Sequence, residues 1–291
     1  MNSPVRNRLM LLAAAVLFST GGAAIKGSEL SAVQLACFRS GIAAVSLFIF
    51  LPEARRRWTR QIIAVGFAYA ATLILFVLAT KNTTAANAIF LQATAPVYLL
   101  LLGPLLLHQP VRRSNLLVIA AVACGAMLMF AGAPAASATA PDPHRGNLFG
   151  AGSGLSWALT VSGLRGLERK AGTAGAAITT VVAGNLIAFL VCLPYAVPVN
   201  HWSPTDLVTL LYLGVFQIGL AYFLMTRSIR HVPALEASTM LMAEPALNPF
   251  WTWLIQAEQP GAAPLAGGVL VLAATLGGTW WSARALPKTA A

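Results

Sequence analysis

Apolar runs of about 20 residues alternate along this chain with short polar joints, and that alternation restricts the fold more than any other feature. A bilayer core about 30 Å thick needs roughly 20 apolar residues per helix. Ten such runs can be read, at about 9–26, 33–51, 61–80, 85–107, 114–132, 147–164, 175–196, 206–226, 233–255 and 264–282. Six of the ten hold no charge; Lys26 and Asp206 stand at the edges of the first and eighth, Arg39 lies in the second, and Glu236 and Glu244 in the ninth. Composition agrees: 58% of residues are hydrophobic and 9% charged, where a soluble domain carries roughly 25% charged. Three cysteines, Cys37, Cys124 and Cys192, cannot all pair and lie in apolar stretches, which excludes a disulfide scaffold. The expected class is all-α integral membrane. Arg6 and Arg8 ahead of the first run also fit a signal peptide, but nine further spans make that run a retained helix.

The net charge of +11 raises nucleic acid as a partner. Nucleic-acid binders gather their basic residues on one wet face; here they sit in short clusters between apolar runs, so no nucleic-acid partner is expected. The clusters obey the cytoplasmic excess of Lys and Arg instead. With the N-terminus inside, 15 basic residues lie in cytoplasmic joints and only Lys26, Lys81 and Arg145 lie outside. Both termini are therefore expected in the cytoplasm.

The longest external joint, Ala133–Arg145, is rich in Ala, Pro and Ser and reads as a linker. It divides the chain into 1–132, a linker at 133–146, and 147–291. The halves are weakly alike. Gln92-Ala93-Thr94-Ala95-Pro96 answers to Leu241-Met242-Ala243-Glu244-Pro245, and His108-Gln109-Pro110 to Glu258-Gln259-Pro260, at offsets of 149 and 150 residues. Five helices per half is an odd number, so the second half enters from the opposite side. The expected architecture is ten transmembrane helices as two inverted five-helix repeats around a central cavity, with the substrate near the midplane. Pro96 and Pro245 fall about a dozen residues into their helices, where each removes a backbone donor and kinks the helix. Both are hinge candidates.

The mid-helix proline followed by a loop Glu, as in Glu244-Pro245 and Glu258-Gln259-Pro260, resembles the drug/metabolite transporter superfamily in its ten-helix, EamA-type form. The resemblance spans nearly the whole chain. The first half departs from it at His108, which stands where that Glu is usual. Within the superfamily the chain looks most like the bacterial aromatic amino-acid exporters, which implies a multi-pass protein of the bacterial inner membrane.

Several side chains are candidates to meet a substrate. Trp58, Trp202, Trp251, Trp253, Trp280 and Trp281 lie near span ends and read as interface anchors, as do Tyr195 and Tyr212. Tyr69, Tyr98 and Trp157 lie deep in their spans, where a phenol or indole needs a partner. Helix packing and cavity lining fit these three equally. The fourth run carries a stripe of Thr84, Asn87, Thr94 and Tyr98, and the ninth one of Ser238, Pro245, Asn248 and Thr252. Polar groups are costly against lipid, so both stripes should face inward, as should Gln217, Ser19 and Thr20. Glu244 is the sharpest residue, because an intramembrane acid marks function by default. It receives a substrate ammonium, carries a proton, or bonds a neighbouring helix. Arg39 either snorkels outward or pairs with a carboxylate. Gly146, Gly150 and Gly154 recur at four-residue spacing and read as helix packing.

Chemistry has little to stand on. There is no His-Glu-x-x-His, and no Gly-x-x-x-x-Gly-Lys-Ser/Thr loop for an ATP-driven pump. The four histidines lie at or beyond span ends, no aspartate pair is buried in a span, and Ser153 lacks the glycine pattern of a serine hydrolase. The reading that remains is a secondary transporter with no cofactor or metal. It exports small amphipathic metabolites, foremost aromatic and apolar amino acids, by alternating access, and its only expected partners are a small-molecule substrate and membrane lipid. A small cationic drug or nucleoside exporter is the nearest alternative, and an intramembrane enzyme the alternative of another class. Oligomeric state leaves no mark in the sequence.

Overall fold

Hydroxyl side chains start many of the helices, satisfying backbone N–H groups that have no partner inside the helix. In the computed structural model, which describes residues 4–55, 57–106, 113–133, 135–168 and 175–284, Ser31 and Gln34 form a capping box, as do Ser203 and Asp206, while Thr59 and Thr84 cap by side chain alone. The helices in order are α1 (Pro4–Ser19), α2 (Gly21–Gly27), α3 (Ala32–Phe50), α4 (Arg60–Asn82), α5 (Ala85–Gln92), α6 (Ala95–Leu106), α7 (Arg113–Ala131), α8 (Pro143–Glu168), α9 (Ala176–Ala196) and α10 (Pro204–Leu211). A π-helical segment, Tyr212–Leu220, leads into α11 (Ala221–Ser228), α12 (Ala234–Leu241), α13 (Ala243–Gln256) and α14 (Ala262–Arg284). There is no strand among the described residues.

Each of the ten apolar runs is therefore helical, whole or broken. Six stretches are long and apolar enough to cross a membrane: Pro4–Gly27, Ala32–Phe50, Arg60–Asn82, Ala85–Leu102, Ala176–Ala196 and Pro204–Ser228. Leu116–Ala131 and Ala262–Gly278 are shorter apolar helices. His108 and the basic residues Arg56, Arg112, Arg169, Lys170 and Lys288 lie outside the described residues.

Four runs are interrupted, each for a local reason. Ser19 and Thr20 turn their hydroxyls back on Val16 O and Leu17 O at 2.7 Å, just before Gly21-Gly22, and α1 gives way to α2 there. Such back-bonding and paired glycines both weaken a helix. Pro96 is the second residue of α6 and Pro245 the third of α13. Neither can donate to the carbonyl four residues back, so each chain breaks just upstream, at Ala93-Thr94 and at Met242, and restarts with the proline in its first turn, where a missing N–H is harmless. The fourth interruption, the π segment, was not foreseen from the apolar pattern.

The most extensive packing joins elements from the two sides of the linker: α4 against α8 and α9, α3 against α9 and the π segment, α7 against α14, and α1 against α11 and α13. Small residues allow this closeness. Gly146 faces Thr83, and Gly150 and Gly154 face Leu91, so the glycine series of α8 packs against the end of α4 and against α5. At the α7–α14 crossing the backbones touch: a Cβ on Gly125 would lie 2.7 Å from Gly267 O.

Backbone cannot move aside as a flexible side chain can. Gly267→Leu is expected to lower stability by about 1–3 kcal/mol or more, while Gly166→Ala, where no heavy atom lies within 4 Å of the added Cβ, leaves it unchanged or raises it by up to about 1 kcal/mol. Thermal unfolding of the two purified variants in detergent reads the difference.

Candidate functional site

Polar atoms inside an apolar bundle need partners, so the map of who bonds whom separates structural side chains from those left over. Three groups emerge.

The first surrounds the α1–α2 break. Thr20 Oγ1 gives its proton to Leu17 O, which leaves Tyr212 to donate its hydroxyl to Thr20 at 2.7 Å. Trp251 donates its indole N–H to Ser19 Oγ at 2.9 Å. Gln217, on the π segment, donates to Phe18 O at 3.3 Å and covers Gly21, where a Cβ would lie 2.8 Å from its amide nitrogen. Asn248 of α13 lies against Gly22 in the same way. Two expectations are corrected here. Trp251 and Tyr212 are not interface anchors; both reach inward to the hydroxyls of the break, because α13 and the π segment pack beside α1. Trp58, Trp202, Trp253 and Trp280 by contrast remain substantially exposed. Ser19, Thr20, Gln217 and Asn248 thus come together, and the last two are incompletely satisfied: Gln217 Oε1 and both amide atoms of Asn248 are buried without a hydrogen bond.

The second group adjoins the first through Phe18, whose ring meets Tyr222 edge-on at 5.1 Å. Tyr69 of α4 donates its hydroxyl to Tyr222 of α11 at 2.8 Å, and Trp157 of α8 lies with its ring 6.2 Å from that of Tyr69. Gly184 of α9 makes room for Tyr69, since a Cβ there would be 2.6 Å from the ring. Arg39 neither snorkels nor pairs with a carboxylate: it is 2% exposed and has no ion pair among the described residues. Its position near a span end had suggested an escape to water, yet it is buried with its Nε unpartnered.

The remaining candidates lie elsewhere. Asn87 donates to Asn147 Oδ1 at 3.1 Å, Thr83 donates to the same oxygen at 2.8 Å, and Asn147 donates to Met129 O, tying α5, α7 and α8 together. Thr94 donates to Leu91 O at the α5–α6 break. The stripe of the fourth run therefore faces a helix seam rather than the break in the first. Tyr98 is half-buried one turn further on. Ser153 relays between Gln92 and Thr72 O, a structural use, and no groups of three His, Cys, Asp or Glu residues are placed to hold a metal among the described residues.

The third group seals one end of the bundle. Lys26 pairs with Glu258 at 2.9 Å with both side chains almost wholly buried, and Lys26 also donates to the carbonyls of Thr83 and Thr139. Glu258 accepts the N–H of Ala85 at 2.7 Å. Beside it, Asp206 accepts from Ser28 Oγ at 2.7 Å and from Glu29 N at 2.9 Å, and Lys81 donates to Ser28 O. Glu258, read as a loop residue, does lie in the joint between α13 and α14, where it is the anion of a buried pair. The opposite end holds an exposed pair, Arg8–Glu236 at 2.6 Å.

Known proteins resemble this arrangement across its length. The EamA-like transporter family matches residues 7–131 and 144–279. The pseudopaline exporter CntI of Pseudomonas aeruginosa strain UCBPP-PA14 is 24% identical over 281 residues, covering 92% of this chain and 94% of its own; the same exporter from strain PAO1 gives the same values. A crystal structure with 17% identity matches 97% of this chain and 99% of its own at a TM-score of 0.59, a likeness of fold.

The sealed end makes an energetic prediction. Removing one member of a buried ion pair strands the other, which costs about 3–5 kcal/mol, whereas replacing both with uncharged groups costs much less. Lys26→Met and Glu258→Gln should each lower the unfolding temperature strongly, and the double variant should recover most of the loss.

Proposed function

The chain belongs to the EamA-like transporter family, and from that premise we propose that it exports small amphipathic metabolites, foremost aromatic and apolar amino acids, by alternating access. The proposal includes ten membrane crossings, with residues 1–132 and 147–291 as inverted five-helix repeats joined by the 133–146 linker. Both termini lie on the cytoplasmic face, in keeping with the distribution of Lys and Arg. The observation that carries the reading is the meeting, at the α1–α2 break, of polar side chains from both halves with unsatisfied atoms among them. Ser19 and Thr20 come from the first half; Gln217 and Asn248 come from the second, with three buried amide atoms that have no partner. In a membrane interior such atoms call for a polar ligand. Tyr69, Tyr222 and Trp157 beside them offer aromatic faces suited to an apolar or aromatic side chain.

The two ends of the bundle support a direction of opening. The Lys26–Glu258 end, external by the charge distribution, is closed by a buried pair and several hydrogen bonds that cross between the halves. The cytoplasmic end is held by an exposed pair, and exposed pairs are weak. Opening inward is therefore the easier step, and release to the outside requires the buried pair to part. The breaks at Thr20, Ala93-Thr94 and Met242 are where half-helices can swing, with Pro96 and Pro245 keeping their two breaks from annealing into continuous helix. The relative named as a pseudopaline exporter supports export of a small metabolite. A second reading, export of small organic cations, is favoured by Glu244, which makes no ion pair with any described residue.

Reconstituted vesicles test the mechanism. With Pro96 and Pro245 both replaced by alanine, uptake of labelled phenylalanine should fall by about tenfold or more while the protein still folds. Wild-type turnover in that variant would defeat the hinge role, and selective uptake of tetraethylammonium by the wild type would favour the second reading.

A further inference from the structure

α3 ends at Phe50 and α4 begins at Arg60. Both helices are long and apolar enough to cross a membrane, so the joint between them lies at a membrane surface. It carries the densest run of basic residues in the chain, Arg55-Arg56-Arg57-Trp58-Thr59-Arg60. The described arginines have different tasks. Arg55 donates to the carbonyls of Phe48 at 3.2 Å and of Ile49 at 3.3 Å, with its guanidinium carbon 5.6 Å from the centre of the Phe48 ring, and so closes the C-terminal end of α3. Arg57 and Arg60 are exposed and make no ion pair or side-chain hydrogen bond with any described residue. They stand at the positive end of the α4 dipole, whose first turn holds no acid to offset them. The acid of the joint, Glu53, has one carboxylate oxygen fully buried. The joint itself is held in place, because Thr179 of α9 donates to Glu53 O at 3.1 Å and Thr59 caps α4. α8 brings Arg165, also exposed and without an ion pair, to the same end, where Leu167 and Ile62 share a small core cluster.

We propose that Arg57 and Arg60, with Trp58 between them and Arg165 nearby, form a binding surface for the phosphate headgroup of an anionic phospholipid. Charge complementarity carries the choice of partner. Basic clusters next to a membrane span attract anionic lipid by an amount that grows with each residue, and a guanidinium meets a phosphate through two parallel hydrogen bonds. The surroundings fit a lipid better than a soluble anion. Trp58 is 39% exposed at the level where an indole favours headgroups, and Phe48, Ile49 and Phe50, in the last turn of α3, are exposed where acyl chains run. A soluble polyanion would use the charge and leave these apolar groups without a partner. The inference holds whatever the cargo, and on whichever face of the membrane the joint lies.

The experiment titrates the full chain in neutral detergent with phosphatidylglycerol, phosphatidylcholine and free glycerol 3-phosphate, and reads lipid retention by native mass spectrometry together with melting temperature. The wild type should retain phosphatidylglycerol over phosphatidylcholine by about tenfold or more, and phosphatidylglycerol alone should raise its melting temperature. Raising NaCl from about 0.1 M to about 1 M should shrink the preference. Arg57→Gln and Arg60→Gln should each lower it about fivefold, the double variant should lower it further, and Arg57→Lys with Arg60→Lys should keep part of it. Arg145→Gln, an exposed arginine at the opposite end of α8, should leave it unchanged. Because Arg57 and Arg60 are exposed and unpartnered, the lipid-free variants should melt within about 2 °C of wild type. Equal retention of the two lipids by the wild type, an undiminished preference in the double variant, or a loss in Arg145→Gln as large as in Arg60→Gln would each overturn the proposal. An equal rise in melting temperature with free glycerol 3-phosphate would also overturn it, in favour of a soluble anion. None of these outcomes touches the exporter reading, which is tested by uptake.

Discussion

Hydrocarbon supplies no hydrogen-bond partners, and every feature of this bundle follows from that scarcity. Backbone groups are satisfied within helices, hydroxyls fold back on their own turn, and the amides of Asn87 and Asn147 join neighbouring helices. Where a charge is needed for structure it is neutralised in place, as Lys26 is by Glu258 and by two carbonyls. Against that background the exceptions stand out. Arg39 Nε, Asn185 Oδ1, Gln217 Oε1 and both amide atoms of Asn248 are among the buried polar atoms without a hydrogen bond. A protein with three breaks and a π segment in the surrounding helices had the conformational freedom to satisfy them internally.

Much of the architecture was legible in the chain because hydrophobic run length is a local property. Helix falls where apolar composition puts it, with six stretches long and apolar enough to cross a membrane, and Pro96 and Pro245 mark breaks within two or three residues of where they occur. The break at Thr20 and the π segment were not legible. The first depends on hydroxyls turning back on the preceding turn, and the second on a hydrogen-bond shift that leaves apolar composition unchanged. The site divides in the same way. Ser19, Thr20, Gln217 and Asn248 could be named from polarity alone, and they do meet. Asn87 and Thr94 had the same polarity, yet face a seam, because residue type reports that an atom needs a partner and not which partner it finds. Trp251 and Tyr212 looked like interface aromatics because distance from a span end was the only coordinate the sequence offered. Arg39 was read on that ground as snorkelling or pairing with a carboxylate, yet it is 2% exposed and makes no ion pair with any described residue.

The two ends of the molecule divide labour. One is closed by a network linking α2, α4, α5, the linker and α10, with an ion pair sealed from solvent at its centre. The other has a solvated pair between α1 and α12 beside a small apolar cluster of Leu11, Val232 and Ala237. Under the proposed alternating-access reading, this asymmetry would make the end bearing Arg8 and Glu236 the easier to open, while the Lys26–Glu258 end would part only when both halves reorganise together.

The π segment sets the angular phase of everything after it. An α-helix advances about 100° per residue, and a π turn accommodates an additional residue in its hydrogen-bonded loop. Were the segment to relax to ordinary α geometry with all of its residues kept, Ala221–Ser228 would arrive rotated by roughly that angle. Tyr222 would then swing away from Tyr69, and the aromatic wall would open toward lipid. The widened turn thus acts as a phase adjuster, carrying Gln217 on one face and delivering Tyr222 on another, which a regular helix of the same length could not do at once.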